Sequence, residues 1–430
     1  MMNIKEIQDS LKNCPCGRKH ETNILAVEIG RGLINKTAEI LSTNGFPKNI
    51  LVVADKNTLS AADGILDILA DGGYKHTLKL YDNLRVAHMS DVNTLMELSA
   101  NVDGILAVGS GSICDICRLA AARAGKDFAI FATAPSMDGF ASDSAPIING
   151  NFKISYPACS PKVVIGDTDI LAAAPVELKA AGFGDMIAKY IAIVDWKIST
   201  MTTGEYYCEN VANLTIEALK KIVSMVDSVT KNDPETAGAI MEALVLTGLG
   251  MSFTHNTRPA SGAEHVISHF WEIKKLEKGE LSDYHGKKVG IATLLTAKTY
   301  HMLTESQVDI GEENLDWEEI YRAYGENFIE DVKKVNNPTV TTKTSPEIIR
   351  ERWGDICKLI KTELPSYEDM LKLLKRAKAA TKISEIDVSY DLCLQALKYH
   401  AYMRHRMTLM RLIPMIKKDF DFDAVIREVM

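Results

Sequence analysis

The chain has 430 residues, 46% of them apolar and 25% charged, with 57 acidic against 49 basic side chains and a formal net charge of -8. That length exceeds what one compact core holds and predicts two packed domains, placed at 1–174 and 175–430, while the composition excludes a disordered or fibrous chain. The charges are mixed along the sequence, so no basic stripe advertises nucleic acid, and an anionic ligand has to be met by local cations.

The start, MMNIKEIQDSLKNCPCGRKH, lacks the apolar core of a signal peptide, and no apolar run is read as long enough to cross a bilayer. The expectation is a cytoplasmic protein without membrane insertion. Eight cysteines in a reducing compartment are expected to be free thiols. Cys14, Cys16 and His20 form a cluster whose spacing suits soft metal ligands, but no fourth ligand lies nearby in sequence.

Further on, short β-branched runs alternate with helical stretches. Strands are predicted at Asn49 to Ala54, His76 to Leu80, Gly104 to Val108 and Phe128 to Ala132, with helices at Leu33 to Leu41, Ser60 to Ala70 and Ile113 to Ala124. This is the layout of a parallel sheet covered by helices, as nucleotide-binding domains have. A hairpin follows around Asn149-Gly150, then a last strand from Lys162 to Ile165. From Pro175 onward the period is helical, with long amphipathic stretches at 206 to 228, 235 to 251, 287 to 303 and 388 to 412. Asp233-Pro234, Asn337-Pro338 and Leu364-Pro365 are expected to separate these helices, because a residue before proline avoids the helical region.

Three segments of the α/β half suit a nucleotide. ILAVGSGSICDICRLAA runs from a buried strand through Gly109, Ser110, Gly111 and Ser112 into a helix at Ile113. Glycines there let the backbone approach a pyrophosphate, with Ser112 as the expected N-cap; the alternative is a plain tight turn. Asp55 ends the strand ILVVAD, where an acid can bond an adenosine ribose or form a turn. It precedes the glycine loop instead of following it, so the topology differs from the usual dinucleotide fold. The segment ATAPSMDGFASDSAP offers Thr133, Ser136, Asp138 and Ser142, either as site residues or as groups that satisfy their own loop.

In the helical half, GFGDMIAKY sets Asp185 just inside what is read as the start of an apolar helix, where it either caps the helix or ligates a metal. SGAEHVISHFW puts His265 and His269 on one helix face with Glu264 turned away, and YHGKKVG sets His285 at another helix start. Asp185, His265 and His285 make an open three-ligand set of the kind a catalytic metal requires. The zinc-peptidase motif is excluded, since it needs Glu after the first His and Glu264 precedes it.

Taken together, GSGSICD, TAPSMDGFASDSAP, FKISYPACSPKVVIGD, GFGDMIAKY, RPASGAEHVISH and YHGKKVG resemble the sn-glycerol-1-phosphate dehydrogenases, in the superfamily of iron-type alcohol dehydrogenases, glycerol dehydrogenases and dehydroquinate synthase. The N-terminal CPCGRKH looks like an element of the bacterial-type branch. The resemblance covers roughly residues 20 to 300. It implies a dehydroquinate synthase-like fold, an α/β domain binding NAD or NADP followed by an all-α domain, and one divalent metal per subunit, zinc, nickel or iron. By position it implies metal ligation by Asp185, His265 and His285, substrate contacts from Asp138, Asp185 and His269, and cofactor contacts from Asp55, Gly109, Ser110, Gly111, Ser112, Ile113, Thr133, Ser136 and Ser142. It further implies interconversion of glycerol 1-phosphate and dihydroxyacetone phosphate by hydride transfer at C2, with His269 relaying a proton, in a homodimer or larger homo-oligomer. Arg258, Lys153, Lys287 and Lys288 are the candidate cations for the substrate phosphate. A polyol dehydrogenase without phosphate specificity, a dehydroquinate synthase and a non-catalytic nucleotide or metal sensor are the competing readings.

Overall fold

A computed structural model describes residues 3–150 and 152–429 of the chain. It divides into two compact units, one of Met1–Met186 with Asn210–Asn256 and the other of Ile187–Glu209 with Thr257–Met430.

The first unit is built on a six-stranded parallel sheet, with strands β1 (Ala26–Gly30), β2 (Asn49–Asp55), β3 (Lys75–Tyr81), β4 (Gly104–Gly109), β5 (Asp127–Ala132) and β8 (Val163–Asp167) in the order β1-β8-β5-β4-β2-β3. Parallel strands covered on both faces read as continuous apolar runs, which is why ILVVA, ILAV and FAIFA are so legible. On one face Ile50, Val52, Leu106, Val108, Ala129, Phe131, Val163 and Ile165 pack with Leu41, Ile65 and Leu69 into one buried cluster. β6 (Ser144–Asn149) and β7 (Phe152–Pro157) form the expected antiparallel hairpin, with Gly150 at φ +63° in its turn.

Two local expectations change here. β1 is an additional edge strand, paired only with β8 and interrupted in pattern by Glu28. The stretch predicted as a single helix from Ser60 to Ala70 is two helices, Lys56–Ala61 and Ile65–Asp71, divided at Gly64, whose φ of +83° no continuous helix contains.

Helix Pro234–Thr254 belongs to this unit. Its 21 residues are long and apolar enough to cross a membrane, which corrects the expectation that no such run exists, and 89% of its most apolar window is buried inside the protein. It carries apolar residues all round because it is covered all round. Asp233 caps its start and Pro234 occupies its first turn, as the Asp233-Pro234 joint suggests.

Among its described residues, the second unit contains helices and no strand. Its central pair is Ala263–Glu277 and His285–Glu305. The stretch expected to be helical over 388 to 412 is broken into Tyr390–Tyr399, a short 3-10 turn at His400–Met403, and Leu409–Ile416, which Thr408 caps afresh.

Candidate active site

Asp55, Gly109 and Thr133 stand at the carboxyl ends, or just past them, of the adjacent strands β2, β4 and β5, the edge of an open α/β sheet where ligands bind. Gly109 passes directly into helix Gly111–Ala124, with Ser110 as its N-cap residue. Ser112 is therefore not the N-cap. It lies inside the first turn, and its hydroxyl donates to the Arg85 carbonyl at 2.9 Å. The two glycines differ in what requires them. A Cβ on Gly109 would come within 2.7 Å of the Ile113 side chain, so that glycine lets strand and helix pack closely, whereas one on Gly111 would meet Met137 at an ordinary 3.5 Å. Ser110, Gly111 and Ser112 are half-buried and Ile113 is buried.

The Asp55 carboxylate is buried, and both its oxygens accept backbone N–H groups, from Thr58 at 2.8 Å and Leu84 at 3.2 Å. It thus caps helix Lys56–Ala61, and each oxygen keeps acceptor capacity beyond these bonds.

The 133–144 segment is a clamped part of the core. A Cβ on Gly182 would fall 1.9 Å from the Pro135 carbonyl oxygen, and one on Gly248 would fall 2.9 Å from that of Asp138, so two helices touch this segment through bare backbone. Arg118, fully buried, donates to the carbonyls of Ser144 at 2.8 Å, Phe140 at 3.0 Å and Gly139. Thr133, Asp138 and Ser142 are buried and Ser136 half-buried. Ser142 Oγ accepts the Ser144 N–H at 3.1 Å, which is local loop satisfaction. The Asp138 N–H donates to the Asp185 carboxylate at 2.9 Å.

Asp185 lies in the last turn of helix Val176–Ile187, which corrects its expected place at a helix start. A carboxylate there faces the negative end of its own helix dipole, so capping the start of that helix does not explain it. It is fully buried.

Helix Ala263–Glu277 begins under two carboxylates. Ala263 N–H donates to Asp195 at 2.8 Å and Gly262 N–H to Glu264 at 2.8 Å, so both acids sit at the positive end of the dipole. A Cβ on Gly262 would approach each carboxylate to 2.7 Å, which explains the glycine of SGAEH. Asp195 also accepts from Tyr300 Oη at 2.7 Å and Leu409 N–H at 2.9 Å, and burial raises its carboxyl to about 6.

Glu264 is not turned away from the histidines. Its Oε1 lies 2.7 Å from His265 Nδ1. A carboxylate oxygen accepts, so Nδ1 carries the proton and the neutral ring presents Nε2 as a lone pair. His269 is held likewise: Nδ1 lies 3.0 Å from Glu272, whose other oxygen pairs with the buried Lys288 ammonium. The ring of His285, first residue of helix His285–Glu305, is 5.3 Å from that of His265 and stacks 5.7 Å from that of His269. One ligand atom each from Asp185, His265 and His285 lies within 4.8 Å of the other two. Two imidazoles and a carboxylate make a donor set that fits zinc, nickel or iron(II). Glu264, Glu272, Arg118, Gly182 and Gly248 are the residues that sequence reading missed.

Of the four candidate cations, two are themselves buried and engaged. Arg258 pairs with Glu205 and donates to the Met407 carbonyl at 2.7 Å, and Lys288 pairs with Glu272 and Ser282. Lys287 pairs with Asp283 at 2.8 Å, and Lys153 is half-buried on β7.

The sequence pattern of the iron-containing alcohol dehydrogenases matches residues 28–175. Glycerol-1-phosphate dehydrogenase [NAD(P)+] of Halalkalibacterium halodurans is 31% identical over 95% of this chain and 96% of its own length. The enzyme of the same name from Bacillus velezensis is 38% identical over 59% of this chain and 66% of its own length. Glycerol dehydrogenase of Schizosaccharomyces pombe superposes with a TM-score of 0.64 over 96% of this chain and 91% of its own, at 17% identity. The iron-containing alcohol dehydrogenase of Corynebacterium glutamicum does so with 0.62 over 96% and 97%, at 13% identity. The solved structures share the fold, and the end-to-end match at 31% identity carries the family: this chain belongs to the glycerol-1-phosphate dehydrogenases.

Proposed function

We propose that the protein interconverts sn-glycerol 1-phosphate and dihydroxyacetone phosphate, with NAD(P)+ accepting hydride from C2 and one divalent metal held by Asp185, His265 and His285. The observation that carries the reading is that donor set, three ligand atoms within 4.8 Å with His265 fixed through Nδ1 by Glu264. A three-ligand site leaves room for a substrate oxygen, and the metal, when bound, supplies the Lewis acidity that makes a secondary alcohol easier to deprotonate.

The chain's own groups do the rest. The Asp138 N–H bonded to Asp185 fixes one carboxylate oxygen, so Asp185 meets metal and substrate in a set orientation. His269 takes up the hydroxyl proton at Nε2; Glu272 accepts its Nδ1–H and stabilises the imidazolium that results, while Lys288 keeps Glu272 ionised. Half-buried Ser110 to Ser112, at the start of helix Gly111–Ala124, offer backbone N–H groups to the pyrophosphate of the cofactor. Asp55 accepts from a ribose hydroxyl and repels a 2'-phosphate, which favours NAD, and the nearby Lys56 is engaged by Asp82 at 2.6 Å.

Lys153 and Lys287 are the candidates for the substrate phosphate, since both are half-buried where Arg258 and Lys288 are buried, although Lys287, Arg258 and Lys288 are each engaged by a carboxylate. That engagement also supports the second reading, a polyol dehydrogenase indifferent to phosphate. The deciding experiment follows NADH or NADPH oxidation with dihydroxyacetone phosphate and with dihydroxyacetone, before and after chelation and with zinc, nickel or iron(II) added back. Preference for the phosphorylated substrate, lost on chelation and restored by metal, is expected. Equal turnover of both substrates would establish the second reading, and full activity after chelation would remove the metal. Light scattering on the same sample tests the expected homo-oligomer.

A further inference from the structure

Cys14 and Cys16 sit in a tight turn closed by the Gly17 N–H to the Cys14 carbonyl at 3.2 Å, with Gly17 left-handed at φ +75°. His20 returns the chain toward the same point. It is buried, its Nε2 is 3.1 Å from Cys16 Sγ, and its Nδ1 is 3.0 Å from the Phe253 carbonyl. A carbonyl only accepts, so Nδ1 bears the proton and Nε2 turns a lone pair toward the sulfur. This is how metal-ligating histidines are held, the second nitrogen donating to a carbonyl. The Asn210 side-chain amide donates to Cys14 Sγ at 3.4 Å, as N–H groups do to thiolates, and brings the start of helix Glu209–Ser224 against the cysteine turn. Two residues before Asn210 comes Cys208, fully buried, whose sulfur joins the group: ligand atoms of Cys14, Cys16, His20 and Cys208 all lie within 4.8 Å of one another.

We propose that these four residues bind a structural zinc ion. A tetrahedral zinc with Zn–S about 2.3 Å and Zn–N about 2.0 Å sets its ligands about 3.5–3.8 Å apart, so the observed group closes on an ion by small side-chain movements. Three thiolates and one imidazole complete four-coordination and leave no open position, so the ion serves to fix structure and has no part in the hydride chemistry. Binding releases the thiol protons of three cysteines, so uptake is pH-dependent.

Cobalt(II) separates this site from the Asp-His-His set, which contains no sulfur. Protein expressed in cobalt-supplemented minimal medium should show an intense thiolate-to-cobalt charge-transfer band in the near ultraviolet. Protein purified with zinc should carry an equivalent of zinc that a mercurial thiol reagent releases while His265→Ala still retains it. Cys208→Ser should lose that equivalent, and His20→Cys should keep it. Should Cys208→Ser not fold, the cobalt band and mercurial release on the unaltered chain decide alone. Absence of the band, or a disulfide among Cys14, Cys16 and Cys208 in the purified protein, overturns the proposal.

Discussion

Glu264→Gln separates the charge of the Glu264 carboxylate from its shape. Glu264 Oε1 accepts both the Gly262 N–H at 2.8 Å and His265 Nδ1–H at 2.7 Å, and a glutamine oxygen in the same place still accepts both. What is removed is the anion that makes His265 a more basic ligand. Losing such a carboxylate partner weakens metal binding about 10- to 100-fold, or about 1.4–2.7 kcal/mol. Glu264→Leu goes further and leaves the buried Gly262 N–H without its acceptor, at a cost of about 1–3 kcal/mol to the fold itself. The assay is metal affinity by competition with a chromophoric chelator, alongside urea unfolding of the metal-free protein. The glutamine variant should lose affinity and keep its stability; the leucine variant should lose both. Affinity within about twofold of the parent for both variants would show that Glu264 does not orient His265 toward a metal.

Three further outcomes follow from single contacts. Burial lowers His400 from 6.5 to about 4, with Nδ1 2.7 Å from the Ala396 carbonyl. The fold holds it neutral, so its contribution is complete above pH 6.5 and is lost as pH falls toward 4; between pH 7 and pH 5 the loss is about 2 kcal/mol. His400→Leu should remove that much of the pH dependence in urea unfolding, and an unchanged slope would refute the assignment. Gly182→Ala drives a Cβ to 1.9 Å from a backbone oxygen and should cost at least about 3 kcal/mol, whereas Gly111→Ala, with 3.5 Å to Met137, should leave thermal stability nearly unchanged. Asp55→Asn replaces one of two backbone acceptors by a donor, so it should cost about 1–3 kcal/mol and raise the NADP to NAD preference in kcat/KM about tenfold, the effect of about 1.4 kcal/mol of lost repulsion. An unaltered preference would remove Asp55 from the ribose site.

The sheet was legible because its central strands β2, β4, β5 and β8 are buried on both faces and leave continuous apolar runs, and β1 escaped because AVEIG is a five-residue edge strand carrying a charge. The helical elements were harder to bound, since apolar periodicity continues past a residue such as Gly64 whose backbone ends the helix. Asp185, His265 and His285 were singled out by type and spacing, but two expectations about their surroundings failed for a common reason. Asp185 was expected near a helix start, yet it lies in the last turn of a helix in which Gly182 is small because the Pro135 carbonyl occupies the space a Cβ needs. Glu264 was set on the opposite side of the helix from His265 by the 3.6-residue period, when the first turn of a helix draws a carboxylate back onto its own free N–H groups and so to the adjacent imidazole. Periodicity describes the helix interior, and both sites are made at helix ends. The same limit hid the fourth soft ligand: spacing ties Cys14, Cys16 and His20 to one another, whereas Cys208 is brought to them by the packing of Asn210 against Cys14, which no local pattern records.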